Sequence, residues 1–171
     1  DRRQRQMCIR DRGSTSDLPV MEKAAKVLND FCIPFEINAL SAHRTPAEVE
    51  SFAKNAQKRG IEVIIAGAGM AAHLPGVIAA MTPIPVIGVP INASLDGMDA
   101  LLAIAQMPPG IPVATTAING AMNAGILAAQ ILAIGDNALK AKIVDFKESL
   151  KKKIVDANNE LAKVKYDYKT N

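Results

Sequence analysis

Two histidines 30 positions apart, His43 and His73, are the only imidazoles among the 171 residues. Each sits in a run of small and polar residues. The runs read Ser41-Ala42-His43-Arg44-Thr45-Pro46 and Gly67-Ala68-Gly69-Met70-Ala71-Ala72-His73-Leu74-Pro75-Gly76. A third run of similar character, Gly13-Ser14-Thr15-Ser16-Asp17, lies upstream. Imidazole exchanges protons near neutral pH, so His43, between an alanine and an arginine, is the candidate acid–base group. Arg44 carries a planar fork that matches phosphate oxygens, although a surface arginine paired with an acid is the plainer reading. Only one other arginine, Arg59, follows residue 12, which favours the phosphate role. His73 suits a ligand carboxylate, or else a hydrogen bond from a helix terminus to backbone. Ser14, Ser16 and the N–H groups around them form an anion site or a simple helix cap. Asp17 could instead accept hydrogen bonds from sugar hydroxyls. The small residues Gly67, Gly69, Ala71 and Ala72 let a ligand approach the backbone closely.

These runs must be held by the elements between them. Apolar spacing predicts a helix over 18–32, with Ser16 or Asp17 as its cap and Pro19 in its first turn. A short strand follows over 35–40. Thr45 and Glu48 are spaced as a capping box with Pro46 at the first helical position, and that helix stops at Gly60. Residues 62–66, 85–89 and 112–118 read as buried strands. Helices are expected over 74–81, 97–106 and 119–134, and a long last one runs from 137 to about 164 behind Asp136 as cap. Strands alternating with helices imply an α/β fold in three layers with a parallel sheet. In such sheets ligands bind beyond the carboxyl ends of the strands. A flavodoxin-like order, 2-1-3-4-5, would set the three runs side by side there.

The segment that should supply the first strand is discordant. Residues 1–12 hold five arginines and two aspartates, the whole of the chain's formal net charge of +3. A central strand is buried on both faces, and charges such as Arg10, Asp11 and Arg12 are expensive to desolvate there. This segment reads as atypical, an artefact in the place of an apolar strand, and the chain begins with Asp rather than Met. The expected organisation is therefore 1–12 as that atypical segment, 13–136 as an α/β catalytic domain and 137–171 as a C-terminal helix.

Composition removes several functions. No Lys or Arg occurs from residue 60 to residue 139, so the body lacks the basic face that nucleic acid requires. Two cysteines, Cys8 and Cys32, make no disulfide framework, and a reduced, cytoplasmic setting is expected. No apolar run approaches the length of a membrane span, which excludes a membrane partner. Two histidines so far apart make no metal-ligand spacing. The match of residues 67–72 to G-x-G-x-x-A lacks the acidic residue that a dinucleotide ribose needs. All six aromatic residues lie outside the three runs, so none is offered to a flavin ring. No G-x-S-x-G elbow is present. A cofactor-free site for a phosphorylated small molecule remains.

The motifs GSTSD, SAHRTP, GAGMAAHLPG and QMPPGIPVATTAI, in this order from Gly13 to about Ile134, closely resemble the N5-carboxyaminoimidazole ribonucleotide mutase family of purine biosynthesis. The resemblance implies a flavodoxin-like sandwich assembled as a homo-octamer. It implies transfer of a carboxylate from N5 to C4 of the aminoimidazole, without ATP, metal or organic cofactor. His43 would be the acid–base group, with Ser14, Ser16, Asp17 and Arg44 on the ribonucleotide. Ser41, Ala42, Gly67, Gly69, Ala71, Ala72, His73 and Leu74 would shape the pocket, with His73 on the carboxylate. A sister class acts as a carboxylase on aminoimidazole ribonucleotide and free carbon dioxide. Its pattern carries SAHKT and lacks the second histidine motif, so Arg44 and His73 point to the mutase class. A non-catalytic module binding nucleotide phosphate is the third alternative. The loop 90–97 is one residue shorter than the common family form. The apolar positions of the last helix (Leu139, Ile143, Phe146, Leu150, Ile154 and Leu161) suit packing on a neighbouring subunit.

Overall fold

The computed structural model describes the backbone of residues 6–11, and residues 18–170 in full. Five parallel strands form one sheet, β1 (Gln6–Asp11), β2 (Phe35–Ala39), β3 (Ile61–Gly69), β4 (Val86–Ile91) and β5 (Ala114–Thr115), in the order 2-1-3-4-5. Among the described residues six helices connect or follow them: α1 (Leu18–Asp30), α2 (Pro46–Asn55), α3 (Leu74–Met81), α4 (Met98–Ala105), α5 (Ala121–Ala133) and α6 (Asn137–Lys163). The expected fold class and strand order are those observed.

The pleat of β3 divides the core. Val63 and Ile65 point to the layer of α1, α5 and the start of α6, where they meet Met21, Leu28, Ala124 and Ala128. Ile64, Ala66 and Ala68 point to the layer of α2, α3 and α4, against Val49, Phe52, Ile78 and Ile104. Alternate residues of a strand face opposite sides, so a strand covered on both has to be apolar throughout. Ile61 breaks the alternation and faces the second layer with Ile64. The β1 register explains it, because Gln6 pairs with Ile61 and Met7 with Val63, leaving Glu62 as an extra residue.

Three sequence expectations change. Of the segment denied a central place by its charge, residues 6–11 run between β2 and β3, with Met7 opposite both Phe35 and Val63, and the rest lies outside the described residues. Pairing draws on backbone N–H and C=O groups, which every residue here supplies, and two flanking strands leave the gap to be filled. The strand expected over 112–118 shrinks to Ala114–Thr115. Pro112 has no N–H to donate, and past Thr115 the ladder gives way to scattered bonds: Thr116 donates to Gly88 O from its N–H (3.0 Å) and hydroxyl (3.3 Å), Asn119 N–H donates to Pro90 O (2.8 Å), and Asn119 Oδ1 accepts from Asn92 N–H (3.0 Å). The apolar row of α6 also divides. Leu139 and Ile143 are buried in the chain's own core, and the Phe146 ring stands edge-on to Phe31 at 5.6 Å. Leu150, Ile154 and Leu161 are exposed.

Helix ends follow local chemistry. Asp136 caps α6, its carboxylate accepting from Leu139 N–H at 3.0 Å, as its position predicts. The helix that begins at Pro46 ends in a short 3-10 turn, Gln57–Arg59, and Gly60 closes it at φ +81°.

Candidate active site

The order 2-1-3 puts the loops after β2 and β3 on the same side of the sheet, one strand apart. α2 and α3, which follow these loops, lie in one layer. His43 and His73 thereby come into contact, with His43 Nε2 and His73 Nδ1 2.8 Å apart. Their rings meet edge to face with centroids 4.9 Å apart. Ser41, Ala42, His43, Ala68, Ala72, His73 and Leu74 line a small crevice at this point. Wider grooves lie beside the edge strand, near Phe52 and Arg59, and at the opposite end of the sheet, near Pro83 and Gly110. Neither contains a histidine.

The loop carrying His43 is fixed from within. Ser41 is the buried polar residue of the described chain, 7% exposed. Its N–H donates to Thr45 Oγ1 (2.9 Å), and the Thr45 hydroxyl donates back to Ser41 O (3.2 Å). Arg44 N–H donates to Ser41 Oγ at 3.2 Å. Thr45 therefore ties the loop rather than capping the helix, and it makes no side-chain bond to the α2 N–H groups. The capping box expected from Thr45 and Glu48 gives way to this tighter ST-type turn, because one hydroxyl cannot serve both ends. The two residues held outside the turn, His43 and Arg44, are exposed.

The loop carrying His73 is bent rather than tied. Met70 and Ala72 have φ of +55° and +44°, where residues with a Cβ are strained. Ala72 N–H donates to Gly69 O at 3.1 Å, closing the turn. Ala72 is buried, and His73 stands next to it at the start of α3.

Most sequence candidates gather here. Ser41, Ala42, His43, Ala72, His73 and Leu74 line the crevice, and Ala71 is exposed beside it. Ala68, which no pattern singled out, lines it too, although it lies inside the same glycine-rich run. Gly67 and Gly69 face the other layer of the sheet. A Cβ on Gly67 would lie 2.6 Å from Met21 Sδ, so this glycine makes room for α1. A Cβ on Gly69 would meet Ala93 Cβ at 3.0 Å. Ser14, Ser16 and Asp17 lie outside the described residues, as does the cap of α1. Among the described residues Arg44 has no carboxylate partner, and no group of three or more His, Cys, Asp or Glu side chains could hold a metal ion. None of the described helices is long and apolar enough to cross a membrane.

Thr45→Val keeps the branched shape but removes both hydroxyl bonds. It should lower the unfolding free energy by about 1–2 kcal/mol and speed exchange of the Ser41 amide. An unchanged denaturation midpoint together with an unchanged Ser41 exchange rate would show that the hydroxyl does not hold the loop.

The chain is similar to known proteins along most of its length. The N5-carboxyaminoimidazole ribonucleotide mutase of Thermotoga maritima is 54% identical over 155 residues, 90% of this chain and 91% of that one. The phosphoribosylaminoimidazole carboxylase of Schizosaccharomyces pombe is 52% identical over 153 residues, 89% of this chain but 28% of that larger protein. The crystal structure of Treponema denticola PurE superposes with a TM-score of 0.78 at 28% identity, covering 92% of this chain and 99% of that one. The family model for AIR carboxylase matches residues 11–153. With the histidine-bearing loops on this sheet, the chain belongs to the AIR carboxylase family.

Proposed function

We propose that the chain is a mutase-type isomerase of purine biosynthesis, converting N5-carboxyaminoimidazole ribonucleotide to 4-carboxy-5-aminoimidazole ribonucleotide. The observation that carries this reading is the near full-length likeness to the Thermotoga maritima mutase. The crevice chemistry agrees with it. His43, as imidazolium, gives a proton to N5 while the N5–carboxylate bond breaks, releasing carbon dioxide. The ring carbon C4 then attacks the trapped gas and forms the new carbon–carbon bond. His43 takes the C4 proton, which restores the aromatic ring and the imidazolium. Carbon, charge and protons balance without a redox change, and one histidine serves both halves. Carbon dioxide has no charge to hold it, so closeness and exclusion of water must keep it near C4. Ala68, Ala72 and Leu74 give the apolar lining for this task.

The remaining roles follow from charge and placement. Arg44 grips the phosphate, helped by Ser14 and Ser16, and Asp17 accepts from the ribose hydroxyls. His73 meets the carboxylate, with Ser41, Ala42 and Ala71 shaping the surrounding wall, while Gly67 and Gly69 act from the other layer by letting α1 and the chain after β4 pack close to β3. The site works without a cofactor, in the cytoplasm. Exposed Leu95, Met98, Leu102, Met122 and Ile154 support assembly with other copies that cover these apolar surfaces, and the family resemblance makes that assembly a homo-octamer. Sedimentation equilibrium should return the mass of eight chains, and a monomer at micromolar concentration would remove this element.

The carboxylase reading has its own support in the Schizosaccharomyces pombe relative. Turnover of the N5-carboxylated nucleotide, set against aminoimidazole ribonucleotide with bicarbonate, separates the two. Turnover of neither, with nucleotide still bound, would favour a binding module. Within the mutase reading, His43→Asn should abolish turnover while nucleotide binding survives; near-normal turnover would take the acid–base role from His43. Arg44→Lys should weaken nucleotide binding about tenfold, since a point charge replaces a bidentate fork. Equal affinity by calorimetry would place the phosphate elsewhere.

A further inference from the structure

The contact between the two histidines has a direction that the proposed chemistry can use. It joins His43 Nε2 to His73 Nδ1 at 2.8 Å, a normal hydrogen-bond length for which only one hydrogen has room. In a neutral imidazole one nitrogen donates and the other accepts, so the bond couples the tautomers of the rings. Either His43 carries its hydrogen on Nε2 and His73 carries its own on Nε2, or both hydrogens sit on Nδ1. Among the described residues the outer nitrogens, His43 Nδ1 and His73 Nε2, have no protein partner. They are the atoms left to a ligand.

We propose that His73 is a positioning residue for His43, holding Nε2–H of His43 through its own Nδ1 so that Nδ1 of His43 exchanges the proton. This rests on the acid–base role assigned to His43 above. A ligand carboxylate can only accept, so at His73 Nε2 it requires a hydrogen there. In a neutral His73, Nδ1 is then a bare acceptor, and His43 donates to it from Nε2. The neutral His43 is left with a lone pair on Nδ1, the form that removes a proton from C4. When His43 is an imidazolium it carries hydrogens on both nitrogens. Nε2–H still points to His73, and Nδ1–H is free for transfer to N5. One hydrogen bond therefore serves both halves of the cycle, and only the hydrogen on His43 Nδ1 comes and goes. Both rings are exposed without ligand. A nucleotide covering them would exclude water and strengthen the bond.

The rings also restrain each other mechanically. Imidazole is free to turn about its side-chain bonds, and the flanking residues Ala42, Ala72 and Leu74 offer no polar atom on a side chain to hold it. The edge-to-face contact at 67° sets the planes of both rings. Loss of His73 should therefore act on the chemical step more than on nucleotide capture.

Nitrogen-15 labelling of histidine tests this directly, because the chain has only two histidines and four ring nitrogens. With 4-carboxy-5-aminoimidazole ribonucleotide bound, neutral His43 should appear as the Nε2–H tautomer. In His73→Phe, which keeps a ring but removes the acceptor, that preference should disappear. The kcat should drop about 10- to 100-fold in this variant, with KM moving less than kcat. His73→Asn places an amide oxygen near the lost Nδ1 and should recover most of the decrease together with the tautomer. A His43 Nδ1–H tautomer in the parent complex, an unaltered tautomer in His73→Phe, or an unchanged kcat there would each overturn the proposal. Active His43→Asn would instead remove the acid–base reading beneath it, so the two failures are distinct.

Discussion

A parallel sheet has no face to give to water, and in this chain that constraint bears hardest on β3. Its residues from Val63 to Gly69 are all buried, alternating between two helical layers. Each layer takes a different share of the strand. The α2–α3 layer takes Ile64, Ala66 and Ala68, with side chains that shrink toward the carboxyl end. The α1–α5 layer takes Val63 and Ile65, then glycine at 67 where Met21 of α1 presses closest. The taper lets α3 start close to the strand end and brings His73 beside the loop from β2. A larger side chain at Ala68 would push into the crevice, and one at Gly67 would displace the buried Met21 side chain of α1. The candidate site thus depends on the same volume limits as the core.

The crossing of the chain at β1 supplies the rest. β2 and β3 are consecutive in the chain but not neighbours in the sheet, and with β1 alone between them the loops that follow come almost within reach of one another. His43 and His73 then close the last gap with their own side chains. The two loops reach this point by different means. Hydroxyl bonds around Ser41 and Thr45 tighten the first, and the second accepts left-handed conformations at Met70 and Ala72. Such conformations store about 1–3 kcal/mol each in residues with a Cβ, so the surrounding packing must hold them.

Much of this was legible in the residues. The helix over 74–81 and the start of α6 behind Asp136 agree with the structure to the residue, because their boundaries are written in proline, a carboxylate cap and an unbroken apolar period. β3 extends past the predicted 66 to Gly69 since glycine and alanine carry little strand propensity, though burial between two layers overrides it. Residues 112–118 looked like a core strand but form an edge that pairs at two residues only. Periodicity registers apolar content and is blind to whether a neighbour exists on both sides. The charges of residues 6–11 argued against a central strand, and tertiary pairing places one there. In the site, each histidine could be nominated from its surroundings, but their contact could not. It depends on strand order and on two turns, one governed by a hydroxyl that resembles a helix cap and one by positive φ at residues that rarely adopt it. Nothing in the identity of Met70 or Ala72 announces that conformation.

The far part of α6 has a consequence for solution behaviour. Every residue from 147 to 163 is exposed, so this stretch has no packing of its own to offset the entropy of staying helical. Its turns rest on their own hydrogen bonds and on local ion pairs such as Lys151–Glu148 and Lys163–Glu160, and Leu150, Ile154 and Leu161 stand in water. The end of α6 is therefore the helical stretch whose order owes least to the core, while the sheet and its two histidine loops are held by packing on both layers.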